Sequence, residues 1–238
     1  MENNRSVAAL FTSAEQMAGA DNYNDWTFNL FRPYLRGRVL EVGCGVGSFT
    51  KRIIQRGSFR RLLCVDTSLD AINYCRTNFT HPSLEFQCID VQEVQGEFDL
   101  IICMNVLEHI KEHEKAFSHL WEMLSSKGTL FLLVPAHQFL FNQFDKEGGH
   151  FRRYDKQSLQ KLISQVALGE NWRIEQYYFN IMGALGYWFV YKVLRADPQT
   201  GGNSEVGIFD KFVVPIMRKL EGKHMPFGIS LITILTKG

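Results

Sequence analysis

Val39-Leu40-Glu41-Val42-Gly43-Cys44-Gly45-Val46-Gly47-Ser48-Phe49-Thr50 decides how the rest of this chain is read. Apolar residues run into glycines at alternate positions, and an amphipathic segment follows. That succession predicts a strand, a tight turn and a helix start, the unit that holds a nucleotide-like cofactor against exposed backbone. Glycine suits the turn because the chain visits positive φ there and because a side chain would keep a ligand away. Two cofactor classes use nearly this spacing. A nicotinamide or flavin turn wants glycine or alanine at the third position of G-x-G-x-x-G. Here that position is Ser48, and the third glycine arrives one residue early, at Gly47.

Downstream, Leu62-Leu63-Cys64-Val65-Asp66 reads as a second buried strand. Its carboxylate stands about 20 residues past the glycines, where such folds place an acid on ribose hydroxyls. Ser68 caps a predicted helix to Asn78, and a short strand from Leu84 to Cys88 runs into Ile89-Asp90-Val91. Phe98 to Met104 is a fourth strand ending at Asn105. A helix around Glu114 to Leu124 leads through Lys127-Gly128 to a fifth strand, Thr129 to Val134, which Pro135 ends. Apolar strands alternating with helices imply a doubly wound, mostly parallel α/β sheet covered on both faces. Upstream, residues to about Leu35 look helical, with Asp25 as a cap for the segment through Phe28 and Phe31.

The second half reads differently. Ala136 to Asp155 is a long connection rich in aromatic, charged and glycine residues, a length that in a compact domain marks function or disorder; its aromatics argue for order. Ser158 to Val166 is a predicted helix, and Trp172 to Phe179 alternates as a strand. Residues 176–191 carry no charge, which is near but below a membrane span. With Trp188, Phe189 and Tyr191 they suggest a packed helical lid, with membrane-surface contact as the lesser alternative. Asp197 to Asn203 is a loop, Phe209 to Leu220 a helix, and Ile229 to Thr236 a closing strand. The expected organisation is one domain: a helical lid over 1–35, a cofactor half over 36–135 and a substrate side over 136–238.

Composition excludes several classes. The chain has 238 residues, 45% hydrophobic and 21% charged, with a formal net charge of +1. That balance gives no bulk affinity for nucleic acid. The amino terminus lacks the layout of a signal peptide. Cys44, Cys64, Cys75, Cys88 and Cys103 have no paired spacing, so buried reduced thiols in a cytoplasmic protein are expected.

Glu-x-Gly-x-Gly-x-Gly, with Asp66, Asp90-Val91 and Asn105 behind it, resembles the motif set of class I S-adenosylmethionine-dependent methyltransferases. Further stretches resemble one bacterial subfamily of them: Tyr23-Asn24-x-Trp26, Asn105-Val106-Leu107-Glu108-His109, Val134-Pro135-Ala136-His137, Gly149-His150-Phe151-Arg152-Arg153-Tyr154 and Pro226 to Leu231. The resemblance implies a seven-stranded Rossmann-like sheet and S-adenosyl-L-methionine as cofactor, leaving S-adenosyl-L-homocysteine. It implies that Glu41 and the Gly43, Cys44, Gly45 and Gly47 backbone hold the methionyl end. Asp66, with Thr67 beside it, would take the ribose, Asp90 and Val91 the adenine, and the Asn105 carbonyl the methionyl amine. Tyr23 and Trp26 would fold over the cofactor, or simply pack in the core.

The acceptor side is less defined. His150 could remove a proton from an alcohol or phenol, since imidazole titrates near 6.5; it could equally be structural. His109 could line the acceptor pocket or cap a helix. His137, Phe141, Arg153 and Tyr154 are candidates for acceptor contact, although Arg153 and Tyr154 could instead lock the loop through Asp145 or Asp155. His109-Ile110-Lys111-Glu112-His113 fits H-x-x-E-H, the zinc-hydrolase pattern. That chemistry needs both histidines on one helix face, and the first sits at a strand-to-helix junction, so no metal is expected. The reading is methyl transfer to oxygen or nitrogen of a small, apolar or aromatic metabolite, secondary or lipid- or sugar-linked, by a monomer or homodimer. An NAD(P)-dependent oxidoreductase and a non-catalytic S-adenosylmethionine-binding protein are the alternatives.

Overall fold

The computed structural model describes residues 19–166, 171–183, 207, 209–222 and 225–238. Trp188, Phe189, Tyr191 and the Asp197–Asn203 loop lie outside the described residues, as does most of the lid expected before residue 19. Along the chain run α1 (Asp21–Phe31), β1 (Arg38–Val42), α2 (Ser48–Arg56), β2 (Arg61–Asp66), α3 (Leu69–Asn78) and β3 (Leu84–Cys88). Then follow β4 (Phe98–Met104), α4 (His113–Glu122), β5 (Leu124–Pro135), α5 (Gln143–Glu147), α6 (Lys156–Val166), β6 (Trp172–Phe179), α7 (Val214–Leu220) and β7 (Ser230–Lys237).

The strands form one seven-stranded sheet in the order β3-β2-β1-β4-β5-β7-β6. β1 to β5 pair in parallel, and β7 runs antiparallel between β5 and β6. This is the mostly parallel Rossmann-like methyltransferase sheet expected above. The central strands are mostly apolar because alternate side chains enter different cores. Leu40, Val42, Ile101 and Cys103 fill one layer, while Val39, Leu100 and Ile102 fill the other.

Ser68 caps α3 as read from the sequence, accepting from the Ala71 amide at 3.3 Å. Asp25 caps nothing. α1 begins four residues earlier, and Asp210 accepts from the Asn22 and Tyr23 amides at 3.0 and 2.8 Å. Asp25 instead pairs with Arg52 and Arg56 at 2.7 and 2.8 Å. A cap supplied from residues nearly two hundred positions away leaves no local signal. β5 starts at Leu124, ahead of the expected Thr129, because its pairing with β4 shifts register between Phe98 and Leu100 and passes Lys127 at φ 61. All five cysteines are free; four are buried, but Cys88 is exposed. Among the described residues no helix is long and apolar enough to cross a membrane.

Candidate active site

A cavity of about 670 Å³ opens at the carboxyl ends of the first four strands. The strand order places it where β1 and β4 lie side by side while their connections leave in opposite directions, the switch point at which such sheets bind ligands. Its volume falls in the ordinary range for small-molecule sites.

The glycine turn forms one wall. Gly43, Gly45 and Gly47 have φ of 70, 51 and 79°, a region that a β-carbon disfavours. The turn is tied to β2: the Gly43 and Cys44 amides donate to the Val65 carbonyl at 2.8 and 3.1 Å. Asp66 continues the tie, accepting from the Gly45 amide at 2.9 Å and the Ser68 amide at 2.8 Å. Gly43, Gly45, Asp66, Thr67, Asp90, Val91, Asn105 and His109 share the cavity. Asp90 caps the short 3-10 turn Val91–Glu93 through the Gln92 amide at 2.8 Å. Asn105 holds φ 52, with its amide on the Leu133 carbonyl at 2.8 Å.

Other candidates stand elsewhere. Glu41 lies behind the turn, 3% exposed, accepting from the Thr50 hydroxyl at 2.6 Å and the Cys64 thiol at 3.3 Å. Burial pushes its carboxyl up to about 7 against the pull of those donors. Cys44 is buried, and Gly47 is the N-cap residue of α2; neither lines the cavity. Tyr23 and Trp26 pack on Phe179 of β6, ring centroids 5.9 and 4.4 Å away, and are not among the lining residues.

The Ala136–Asp155 connection is ordered and built around one carboxylate. Asp145, 1% exposed, meets Arg153 at 2.8 Å and His150 Nδ1 at 3.0 Å, and closes a capping box with Asn142. Burial would raise Asp145, but its hydrogen bonds from His150 and Arg153 outweigh that and hold it low. Tyr154 donates to the Leu107 carbonyl at 3.3 Å, and the Phe151 amide donates to the Glu108 carbonyl at 2.9 Å. The loop is thus stitched to the segment after β4. His137, at φ 65, stacks between Tyr178 and Phe227 at 4.5 and 4.1 Å; Phe141 is half-buried. None of His137, Phe141, His150, Arg153 and Tyr154 lines the cavity.

His109 does line it, and its ring meets His150 edge-on at 4.6 Å. Burial, with His150 adding to it, drives His109 down to about 4. Next to it Glu108 is wholly buried with neither carboxylate oxygen hydrogen-bonded to another described residue. Burial pushes that carboxyl up to about 8, with its own backbone amide and then Arg153 pulling the other way. The histidines of the H-x-x-E-H pattern part company: His113 turns to the Tyr154 hydroxyl at 3.2 Å.

A model of a methyltransferase domain matches residues 15–167. The chain belongs to this methyltransferase family. Trans-aconitate 2-methyltransferase of Deinococcus radiodurans is 33% identical over 132 residues, 52% of this chain and 50% of that protein. Malonyl-[acyl-carrier protein] O-methyltransferase of Acetivibrio thermocellus is 30% identical over 101 residues, 42% of this chain and 36% of that protein. Matches to curated relatives such as these span half of the relative's length or less. Among solved structures, the plantazolicin methyltransferase BamL, in complex with a triazolic analog and SAH, superposes with a TM-score of 0.59 at 14% identity, covering 100% of this chain and 91% of that one. A SAM-dependent methyltransferase from Archaeoglobus fulgidus gives 0.56 at 16%, covering 90% and 94%. At such identities the likeness shows the fold.

Within this methyltransferase domain the donor set suits a nucleoside carrying an amino-acid tail. Three carboxylates, of Asp66, Asp70 and Asp90, offer polar contacts, while Ile89, Val91 and Val106 give an apolar surface for a base. Sequence reading misses Leu69 and Glu108. Leu69 lines the cavity although it is 56% exposed, as a leucine in the first turn of a capped helix. That placement is its signal: it stands off the face formed by Ala71, Ile72 and Cys75. Glu108 gives no such signal, because its burial depends on the loop folding over it.

Proposed function

We propose that this chain transfers a methyl group from S-adenosylmethionine to oxygen or nitrogen of a small acceptor with an apolar or aromatic part. The observation that carries the reading is the cavity at the switch point, where the glycine turn, Asp66, Asp90 and Asn105 meet. Bound S-adenosylmethionine supplies a methyl group on a sulfonium, open to in-line attack. Asp66 would accept the ribose hydroxyls, charged-acceptor bonds being the stronger kind. Asp90 and the Val91 amide would hold the adenine. The Gly43–Gly47 backbone at the amino end of α2 suits the tail carboxylate, and the Asn105 carbonyl suits its amine. Alignment of acceptor and methyl donor in a confined site can carry much of the acceleration.

His109 is the imidazole on the cavity wall, and in this reading the reacting acceptor atom would lie on the side of the segment after β4. Val106 and Ile110 beside His109 on the cavity lining support an acceptor with an apolar part. The names of the A. thermocellus relative and of the ubiquinone biosynthesis O-methyltransferase of Saccharomyces cerevisiae favour oxygen over nitrogen. Calorimetry with S-adenosylhomocysteine tests the cofactor half. One site per chain is expected, weakened roughly tenfold or more in Asp66→Ala with thermal unfolding retained. No heat of binding, or an unchanged affinity in the variant, overturns the reading.

A further inference from the structure

We propose that Glu108, His109 and His150 form a binding site for one divalent transition-metal ion at the cavity wall. One donor atom from each residue lies within 4.8 Å of the others, a compact set drawn from two segments about forty residues apart. A cluster alone would prove little. What points to a ligand is Glu108: it is 0% exposed, and neither carboxylate oxygen is hydrogen-bonded to another described residue. A buried carboxyl left in that state costs several kcal/mol unless something binds it. Arg153, the nearby guanidinium, is already bonded to Asp145 at 2.8 Å.

The second histidine is set up as a ligand. His150 Nδ1 is held by Asp145 at 3.0 Å, which leaves Nε2 as its donor nitrogen. A carboxylate behind an imidazole is the usual way a metal-ligating histidine is oriented and made more basic. Asp145 is in turn fixed by Arg153 and by the Asn142 amide at 3.0 Å, so the ring has little freedom to turn away. Two imidazoles and one carboxylate suit zinc, iron or manganese and suit magnesium or calcium poorly. Three protein ligands also leave a position open, the arrangement of catalytic rather than structural sites.

His109 belongs to both the cluster and the cavity. An ion held there would present its open position to the acceptor side, suited to a hydroxyl or enolate oxygen. That placement rests on the methyl-transfer reading; the binding of the ion does not. His113, the other histidine of the H-x-x-E-H pattern, faces Tyr154 and serves as an internal control.

The test is titration of the chelator-stripped full chain with Zn²⁺ against a chromophoric competitor, with Co²⁺ absorption reporting the donor set. One Zn²⁺ per chain is expected, weakened roughly tenfold or more in both Glu108→Gln and His150→Ala and unchanged in His113→Ala. Circular dichroism reports folding, and half-buried His150 gives a usable variant even if the Glu108 one fails to fold. Absence of stoichiometric Zn²⁺, binding that survives His150→Ala in folded protein, or equal loss in His113→Ala overturns the site. S-adenosylhomocysteine binding to chain that takes up no Zn²⁺ would sink this inference and leave the cofactor reading standing. Zn²⁺ binding without S-adenosylhomocysteine binding would do the reverse.

Discussion

The glycine turn and the Ala136–Asp155 loop flank the same edge of the sheet and are built in opposite ways. The turn is a backbone structure: three glycines at positive φ, amides tied to the Val65 carbonyl, and one carboxylate at the end of the adjoining strand. The loop is a side-chain structure, with Asp145 gathering Arg153, His150 and the Asn142 amide around a buried charge. A backbone structure leaves space that a ligand can fill. A network around a buried charge fixes its side chains in place, and none of the loop's residues lines the cavity. The loop therefore contributes rigidity and the segment after β4 contributes contact, although the loop holds more residues of catalytic type.

If that contrast is right, the loop should fail most when one partner of its charge pair is removed. Arg153→Ala leaves Asp145 buried beside its hydrogen-bonded imidazole without its strongest counter-charge. Breaking a buried pair in this way costs about 3–5 kcal/mol. Urea unfolding should show a loss of that size. A loss below about 1 kcal/mol would mean that the loop is not anchored there.

The turn holds a buried carboxyl too, and it behaves differently because no cation accompanies it. Glu41 is raised to about 7 in the folded chain from 4.5, chiefly by burial. Between those values the folded chain keeps a proton that the unfolded chain has lost, so stability falls as pH rises from 4.5 to 7 and levels off above. At about 1.36 kcal/mol per pH unit the span amounts to roughly 3 kcal/mol. Glu41→Gln carries no such charge, so between pH 4.5 and pH 8 wild type should lose about that much more than the variant. Parallel stability curves for the two proteins would refute the assignment.

The same contrast explains what could be read in advance. Strand periodicity, glycine spacing and the acids at 66 and 90 are local features. They suffice to locate the sheet and to bring Asp66 and Asp90 to one cavity, since each strand end is placed by its own hydrogen-bond ladder. Asp25 looked like a cap because it precedes an apolar run. The true cap, Asp210, is invisible to any local rule. Glu108 and His150 meet only because the loop returns from Ala136 to bond the Glu108 carbonyl, and no spacing encodes that return. The H-x-x-E-H match was a local pattern standing beside a different, non-local cluster. For Tyr23 and Trp26 the sequence leaves open a cofactor cover or core packing, and Phe179, on a strand that pairs far from the turn, is a packing partner no spacing encodes.

Asn105 sharpens the backbone side of the comparison. It sits at φ 52, where asparagine is tolerated and a β-branched residue is strained. Asn105→Val should cost about 1–2 kcal/mol, and Asn105→Gly should be near neutral because glycine reaches that region freely. Equal effects of the two, followed by thermal unfolding, would show that the side chain rather than the backbone geometry matters.

The smallest effect separates the ligand from the fold. Leu69 lines the cavity yet is 56% exposed, and it lies off the buried face of α3. A leucine so placed contributes little to folding, so Leu69→Ser should change stability by less than about 0.5 kcal/mol. A bound nucleoside would cover part of it. Complete burial of such a side chain is worth about 1.5–3 kcal/mol, and partial cover about a third of that. S-adenosylhomocysteine affinity should therefore drop roughly two- to fivefold, a change calorimetry resolves. An unchanged affinity would put the bound ligand elsewhere along the cavity. A large loss of stability would mean that Leu69 packs within the protein, and that this wall, like the loop opposite, serves the fold before the ligand.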